Sequence, residues 1–162
     1  MNRKSTAGPG KRPAAETALL NLLRTHEFLQ RRQTEFFKRF QLTPTQYNVL
    51  RILRGAGPEG VTCSQAAERM VTADPDITRL LDRLEARGLI VRERRPGDRR
   101  VVLSRITEEG LDLLKTIDRP LREFLGRIMG RVGAERLRQL SEILESIRGS
   151  LASVWVNSRY DE

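Results

Sequence analysis

Nine consecutive residues, 92–100, read Arg-Glu-Arg-Arg-Pro-Gly-Asp-Arg-Arg, and five of them are arginines: Arg92, Arg94, Arg95, Arg99 and Arg100. Guanidinium groups this close repel one another unless a polyanion lies against them, so the chemistry on offer is phosphate binding. Pro96-Gly97 in the middle is a turn pair. Leu89-Ile90-Val91 and Val101-Val102-Leu103 flank the run as short strand candidates. The segment predicts a β-hairpin with a basic tip. Charges also protect strand edges from aggregation, but either sign serves that end, and here nearly all are positive. A thin arginine-tipped hairpin suits the minor groove of a DNA duplex, where the negative potential is strong.

The second group lies just upstream. From Pro75 to Ile90 the pattern predicts a helix with Ile77, Leu80, Leu81 and Leu84 inward and Asp76, Thr78, Arg79, Asp82 and Arg83 outward. Asp74-Pro75 offers a cap and a first-turn proline, and Gly88 a C-terminal stop. Thr78 and Arg79 sit near the helix start, the end that usually reaches base edges. An arginine there suits a guanine, and a threonine suits a thymine methyl or a phosphate. Asp76 either accepts from cytosine or holds Arg79 in place. The plainer reading is a solvated helix with i,i+3 ion pairs such as Arg79-Asp82.

Other elements must position these two. Leu19, Leu22, His26, Leu29, Gln33, Phe36 and Phe40 alternate steps of three and four, one stripe along a long helix interrupted by two polar members. Thr43-Pro44-Thr45-Gln46 and Thr62-Cys63-Ser64-Gln65 both read as capping boxes opening helices. The first of these helices stops at Gly55-Ala56-Gly57-Pro58, and the second is short. Thr107-Glu108-Glu109 opens another long helix, whose Pro120 predicts a kink. A last helix carries Leu137, Leu140, Leu144, Ile147, Leu151 and Val154. The order is helix, helix, short helix, helix, basic hairpin, long helix, long helix.

The bulk composition narrows the choices. The 162 residues carry a formal net charge of +9, which points to a polyanionic partner, nucleic acid or an anionic membrane, with a solubilising charge excess as the plain alternative. The single histidine and single cysteine show no metal-ligand spacing, and no Gly-rich phosphate loop or nucleophile elbow occurs. We expect no enzyme activity, no cofactor and no metal. No apolar run approaches the roughly 18 residues that span a bilayer, and the basic N-terminus lacks the apolar stretch of a secretory signal. The expectation is a cytoplasmic protein with no membrane partner. Residues 1–15 read as a flexible basic arm.

In the order and separation of three strings, the chain resembles the MarR family of bacterial winged helix-turn-helix transcription regulators. Residues 78–90 (TRLLDRLEARGLI), 94–100 (RRPGDRR) and 106–110 (ITEEG) match its recognition helix, wing and following helix start. The resemblance implies a mainly α fold with a small β-hairpin wing and N- and C-terminal dimerisation helices. A winged part at about 43–106 would sit within a domain of residues 16–162, with dimerisation helices at about 16–40, 108–130 and 134–156. It implies a homodimer bound to pseudo-palindromic double-stranded DNA, more often a repressor than an activator. The expected DNA contacts are Pro75, Asp76, Thr78, Arg79, Arg83, Arg94, Arg95, Asp98, Arg99 and Arg100, with Asp98 and Arg100 as the family's Asp-x-Arg pair. Members often answer to small aromatic anions held between the dimerisation helices and the winged part. His26, Gln33, Phe36, Phe37 and Tyr47 are the candidates to line such a pocket; the alternative for His26 is a hydrogen-bonded core histidine. Cys63, at a helix start, leaves open an oxidant-sensing regulator, although a quiet, partly buried thiol fits its position better. A non-specific architectural DNA-binding protein is the other alternative.

Overall fold

A computed structural model describes residues 13–72, 75–95 and 97–157, with the side chains of Arg99 and of residues 153–157 outside the description. Most of the expected N-terminal arm, Asp74, Pro96 and the side chain of Val154 therefore lie outside the described residues. The elements are α1 (Ala14–Lys38), α2 (Pro44–Ala56), α3 (Cys63–Glu68), α4 (Ile77–Ala86), β1 (Ile90–Arg95), β2 (Asp98–Ile106), α5 (Glu108–Met129) and α6 (Ala134–Asn157), with a 3₁₀ turn at Gly57–Glu59. The chain divides into two units, Met1–Leu114 and Lys115–Glu162, with α5 running through the boundary.

The first unit holds the core. Val49, Leu50 and Leu53 of α2, Leu81 and Leu84 of α4, Ala66 of α3, and Leu89, Ile90 and Leu103 around the hairpin are buried. Burying a leucine fully is worth about 1.5–3 kcal/mol, so these side chains dominate the energetics of this unit. Local chemistry ends and starts the helices where this core requires. Thr43 and Thr62 each accept the amide of the glutamine three residues on, and that glutamine's Oε1 accepts the threonine amide in return. Both capping boxes are as the sequence predicts.

α4 closes with a Schellman motif. Gly88 takes φ 70, its amide donates to Glu85 O, and the Leu89 amide donates to Leu84 O. Thr107 then locks three elements at one point. Its hydroxyl donates to Gly88 O at 2.7 Å and accepts the Gly110 amide at 3.1 Å, while its own amide donates to Leu89 O. There is no room for a side chain at Gly110, because a Cβ there would lie 2.3 Å from Leu89 O.

Two features depart from the sequence expectation. First, the strands are longer than the apolar triplets, because the arginines themselves are paired: Arg92 opposes Ser104 and Arg94 opposes Val102. The register then shifts, so that Arg95 opposes Asp98 and the bulge leaves residues 99–101, at the start of β2, without a register partner. Second, Val61 bridges Ser104 through two backbone hydrogen bonds of 3.0 and 2.8 Å, which pins the hairpin's base to the start of α3. Pro120 lies inside α5, which runs through it to Met129 as the sequence predicts.

In the second unit, Ile117 is buried, whereas Leu125, Val132, Leu140, Ile143, Ile147 and Leu151 are exposed in the single chain. The α1 stripe in the first unit is likewise uneven. Leu19 and Leu22 are exposed, Leu29 and Gln33 half-buried, and Phe36 buried.

Candidate nucleic-acid interface

α4 is two turns or more of strongly amphipathic helix. Leu80, Leu81 and Leu84 face the core, Ile77 is half-buried, and Thr78, Arg79, Asp82 and Arg83 are exposed. It begins two residues later than Asp74-Pro75 suggests. Asp76 occupies the cap position with non-helical backbone (φ −123, ψ 44), and its side chain makes no capping hydrogen bond. Its carboxylate instead lies 3.3 Å from the Arg79 guanidinium, the holding role expected of it. Pro75 sits in the exposed turn ahead of the helix.

The expected Arg79-Asp82 pair gives way to a different partner. Asp82 Oδ1 lies 2.6 Å from Arg92 of β1, and Glu85 Oε2 accepts from Arg92 Nε at 2.9 Å. Glu85 Oε1 also accepts the Arg92 backbone amide at 3.1 Å. Residues 82 and 85 are one helical turn apart and so share a face, and the forked guanidinium reaches both. Arg92 therefore belongs to the junction between α4 and the hairpin, not to the free cations of the tip. With its side chain only 26% exposed, this pair of contacts is better shielded than a typical surface ion pair. Glu93 on the opposite strand face pairs with Arg105, whose Nε also donates to Pro58 O at 2.6 Å.

Farther along the hairpin the charge is uncompensated. Arg94, Arg95 and Arg100 are exposed, and among the described residues their guanidinium groups have no acidic partner; the same holds for Arg83 on α4. Asp98 Oδ1 accepts the Arg100 backbone amide at 3.0 Å, which fixes the chain at Arg100 next to the bulge. Gly97 takes φ 87, the region that a Pro-Gly turn requires of its glycine. Between α4 and the hairpin runs a groove of about 340 Å³, with Thr78, Leu81 and Glu85 on one wall and Arg92, Arg94 and Val102 on the other. Cys63 is half-buried at its edge, with Sγ 3.9 Å from Thr78 Oγ1.

The candidate ligand residues are only partly brought together. Phe36 meets Phe37 edge-on at 5.0 Å, and Phe37 stacks on Tyr47 at 4.5 Å, joining the end of α1 to α2. His26 is exposed on α1 with Gln30 Nε2 3.5 Å from its Nε2. Ten residues of helix place it about 15 Å from Phe36. Within one chain it is therefore neither a core histidine nor a neighbour of the aromatic cluster. Gln33, half-buried, lies between the two.

Comparison with known proteins gives this geometry a family. The MarR family profile matches residues 40–101, which span α2 to the wing. A MarR transcription factor from Planctomyces limnophilus is 41% identical in its crystal structure, over 84% of this chain and 98% of that one, with a TM-score of 0.66. The chain belongs to the MarR family.

Two further relatives extend the comparison. The homoprotocatechuate degradative operon repressor of Escherichia coli is 31% identical over 108 residues, 67% of this chain and 72% of that protein. CouR from Rhodococcus jostii RHA1, solved bound to p-coumaroyl-CoA, is 28% identical, with a TM-score of 0.71 over 85% of this chain and 95% of its own. As a MarR-family chain, this protein is a DNA-binding transcription regulator with a winged-helix fold. No described helix is long and apolar enough to cross a membrane.

Proposed function

We propose that this MarR-family chain acts as a homodimeric repressor of a pseudo-palindromic operator and releases it on binding a small aromatic ligand. The observation that carries the reading is the pairing of two exposed basic elements. The start of α4 presents Thr78 and Arg79, and the hairpin clamped to it presents Arg94, Arg95 and Arg100, which have no acidic partner among the described residues. In this reading Pro75, Asp76, Thr78, Arg79 and Arg83 enter or flank the major groove. Arg94, Arg95, Asp98, Arg99 and Arg100 form the wing in the neighbouring minor groove.

The winged part, residues 43–106, then reads DNA while α1, α5 and α6 make the dimer. Support for the second role comes from the exposed leucines and isoleucines of α6 and of the first half of α1, which a lone chain would leave in water. Support for repression and for an aromatic signal comes from the relatives, one an operon repressor and one solved with p-coumaroyl-CoA. Gln33, Phe36 and Tyr47 are the ligand contacts we assign, with His26 contributing only in the assembled dimer.

Selection of bound sequences from random duplexes, repeated with a panel of aromatic acids, tests the whole reading. The expected product is an inverted repeat with half-sites about one helical turn apart, enriched in the presence of competitor DNA and depleted by at least one acid. Recovery of unrelated sequences would mark a non-specific architectural binder instead. An enriched repeat insensitive to every acid but lost on oxidation, and kept by Cys63→Ser, would place the signal at the thiol.

A further inference from the structure

The hairpin is anchored at its base, where Val61 bridges Ser104 and where Leu89, Ile90 and Leu103 are buried. From Val102 outward the ribbon is mostly exposed, and its two strands by themselves hold the lean of the tip relative to α4 only loosely. Two strands alone twist strongly and are at best marginally stable in water. At the outer edge of that base, opposite Ser104, Arg92 is held by Asp82 at 2.6 Å and by Glu85 at 2.9 Å, with the Arg92 amide on the second Glu85 oxygen. Three hydrogen-bonding contacts from one strand residue to two successive positions of one helix face define both a distance and an angle. Arg92 also lies two residues before Arg94, on the same strand face, so whatever fixes Arg92 fixes the root of the tip.

The presence of Asp82 and Glu85 is otherwise awkward. Both stand on the helix proposed to lie against a polyanion, where carboxylates repel phosphate. We propose that Arg92 is a positioning residue, and that its two-carboxylate clamp sets the angle between α4 and the wing so that both reach their grooves on one face of the duplex. The clamp rests on the wing reading given above. It adds that the acids on α4 strengthen DNA binding, against the sign of their charge.

That sign decides the test. The double variant Asp82→Asn/Glu85→Gln removes two negative charges without changing side-chain size. Plain electrostatics expects tighter binding to the duplex selected by the parent protein. The clamp expects binding weaker by about fivefold or more, and the loss must shrink to within about twofold when Arg100→Ala has already removed the wing contact. Dissociation constants of the parent, each variant and the combination, with thermal melts of each, give the answer. Tighter or unchanged binding by the double variant, or an equal loss in the Arg100→Ala background, overturns the clamp. If Arg100→Ala itself binds as the parent does, the wing reading falls and the clamp with it. If only Arg100→Ala weakens binding, the wing stands and the clamp alone falls. Should the double variant fail to fold, Arg92→Lys keeps the charge but cannot fork across two carboxylates, and it must show a loss with the same dependence on Arg100.

Discussion

Arginines on a DNA-facing surface act in two separable ways. A guanidinium set against base edges discriminates sequence, whereas one set against phosphates adds affinity without reading anything. In the proposed reading Arg79 is of the first kind, by its place near the start of α4, and Asp76 restrains it at 3.3 Å. Arg79→Ala should cost about 1–3 kcal/mol of discrimination at one base pair of each half-site and relax the selected sequence there. Competition with single-base variants of the selected duplex measures this. In the same reading Arg95 is of the second kind, so Arg95→Ala should weaken all duplexes alike and reduce the slope of log K against log salt by about one. The types of these residues were plain in the sequence. Their division of labour was not: Arg92 sits in the same basic run as Arg94 and Arg95, yet it pairs with Asp82 and Glu85. That pairing joins residues in different elements, which no spacing along a single helix or strand records.

Elements were more legible where the chemistry is local. Capping boxes at Thr43 and Thr62 involve residues three apart, so the sequence contains all the parts. The hairpin's true extent was hidden because its strands are built from arginines, which carry no alternating apolar signal, and because Val61 supplies a third edge from far upstream. α4 begins at Ile77, since the Asp76 backbone is non-helical. The junction of α4, the hairpin and α5 depends on Gly110, where Leu89 O and Ile106 Cγ1 would stand 2.3 and 2.7 Å from a Cβ. Backbone cannot step aside as a flexible side chain does. Gly110→Ala should therefore destabilise the protein by about 1–3 kcal/mol, read as a lowered melting temperature. Thr62→Ala should lose about 1 kcal/mol, because it removes one capping partner at the start of α3.

Across the whole molecule, the net charge of +9 and the exposed apolar positions of α6 describe complementary needs. The charge asks for a polyanion, and Leu140, Ile143, Ile147 and Leu151 ask for cover. In the proposed homodimer a second copy of the chain provides that cover and also pairs two reading helices for an inverted repeat. Sedimentation should give a mass twice the 18.6 kDa of one chain for the parent protein. Ile143→Glu/Ile147→Glu should shift it toward a single chain and weaken operator binding. The family was legible from three short strings, but the signal was not. Ligand pockets in such proteins are assembled from several helices, and here His26 is about 15 Å along α1 from the Phe36 cluster.

The central claim is that α4 and the hairpin grip adjacent grooves of one duplex. Hydroxyl-radical footprinting of the parent and of Arg100→Ala on the selected duplex addresses it directly, because the radical attacks sugars from the minor groove. The parent should protect a minor-groove tract outside each half-site, and Arg100→Ala should lose those flanking tracts while retaining the half-site positions. Identical footprints for the two proteins would contradict the account.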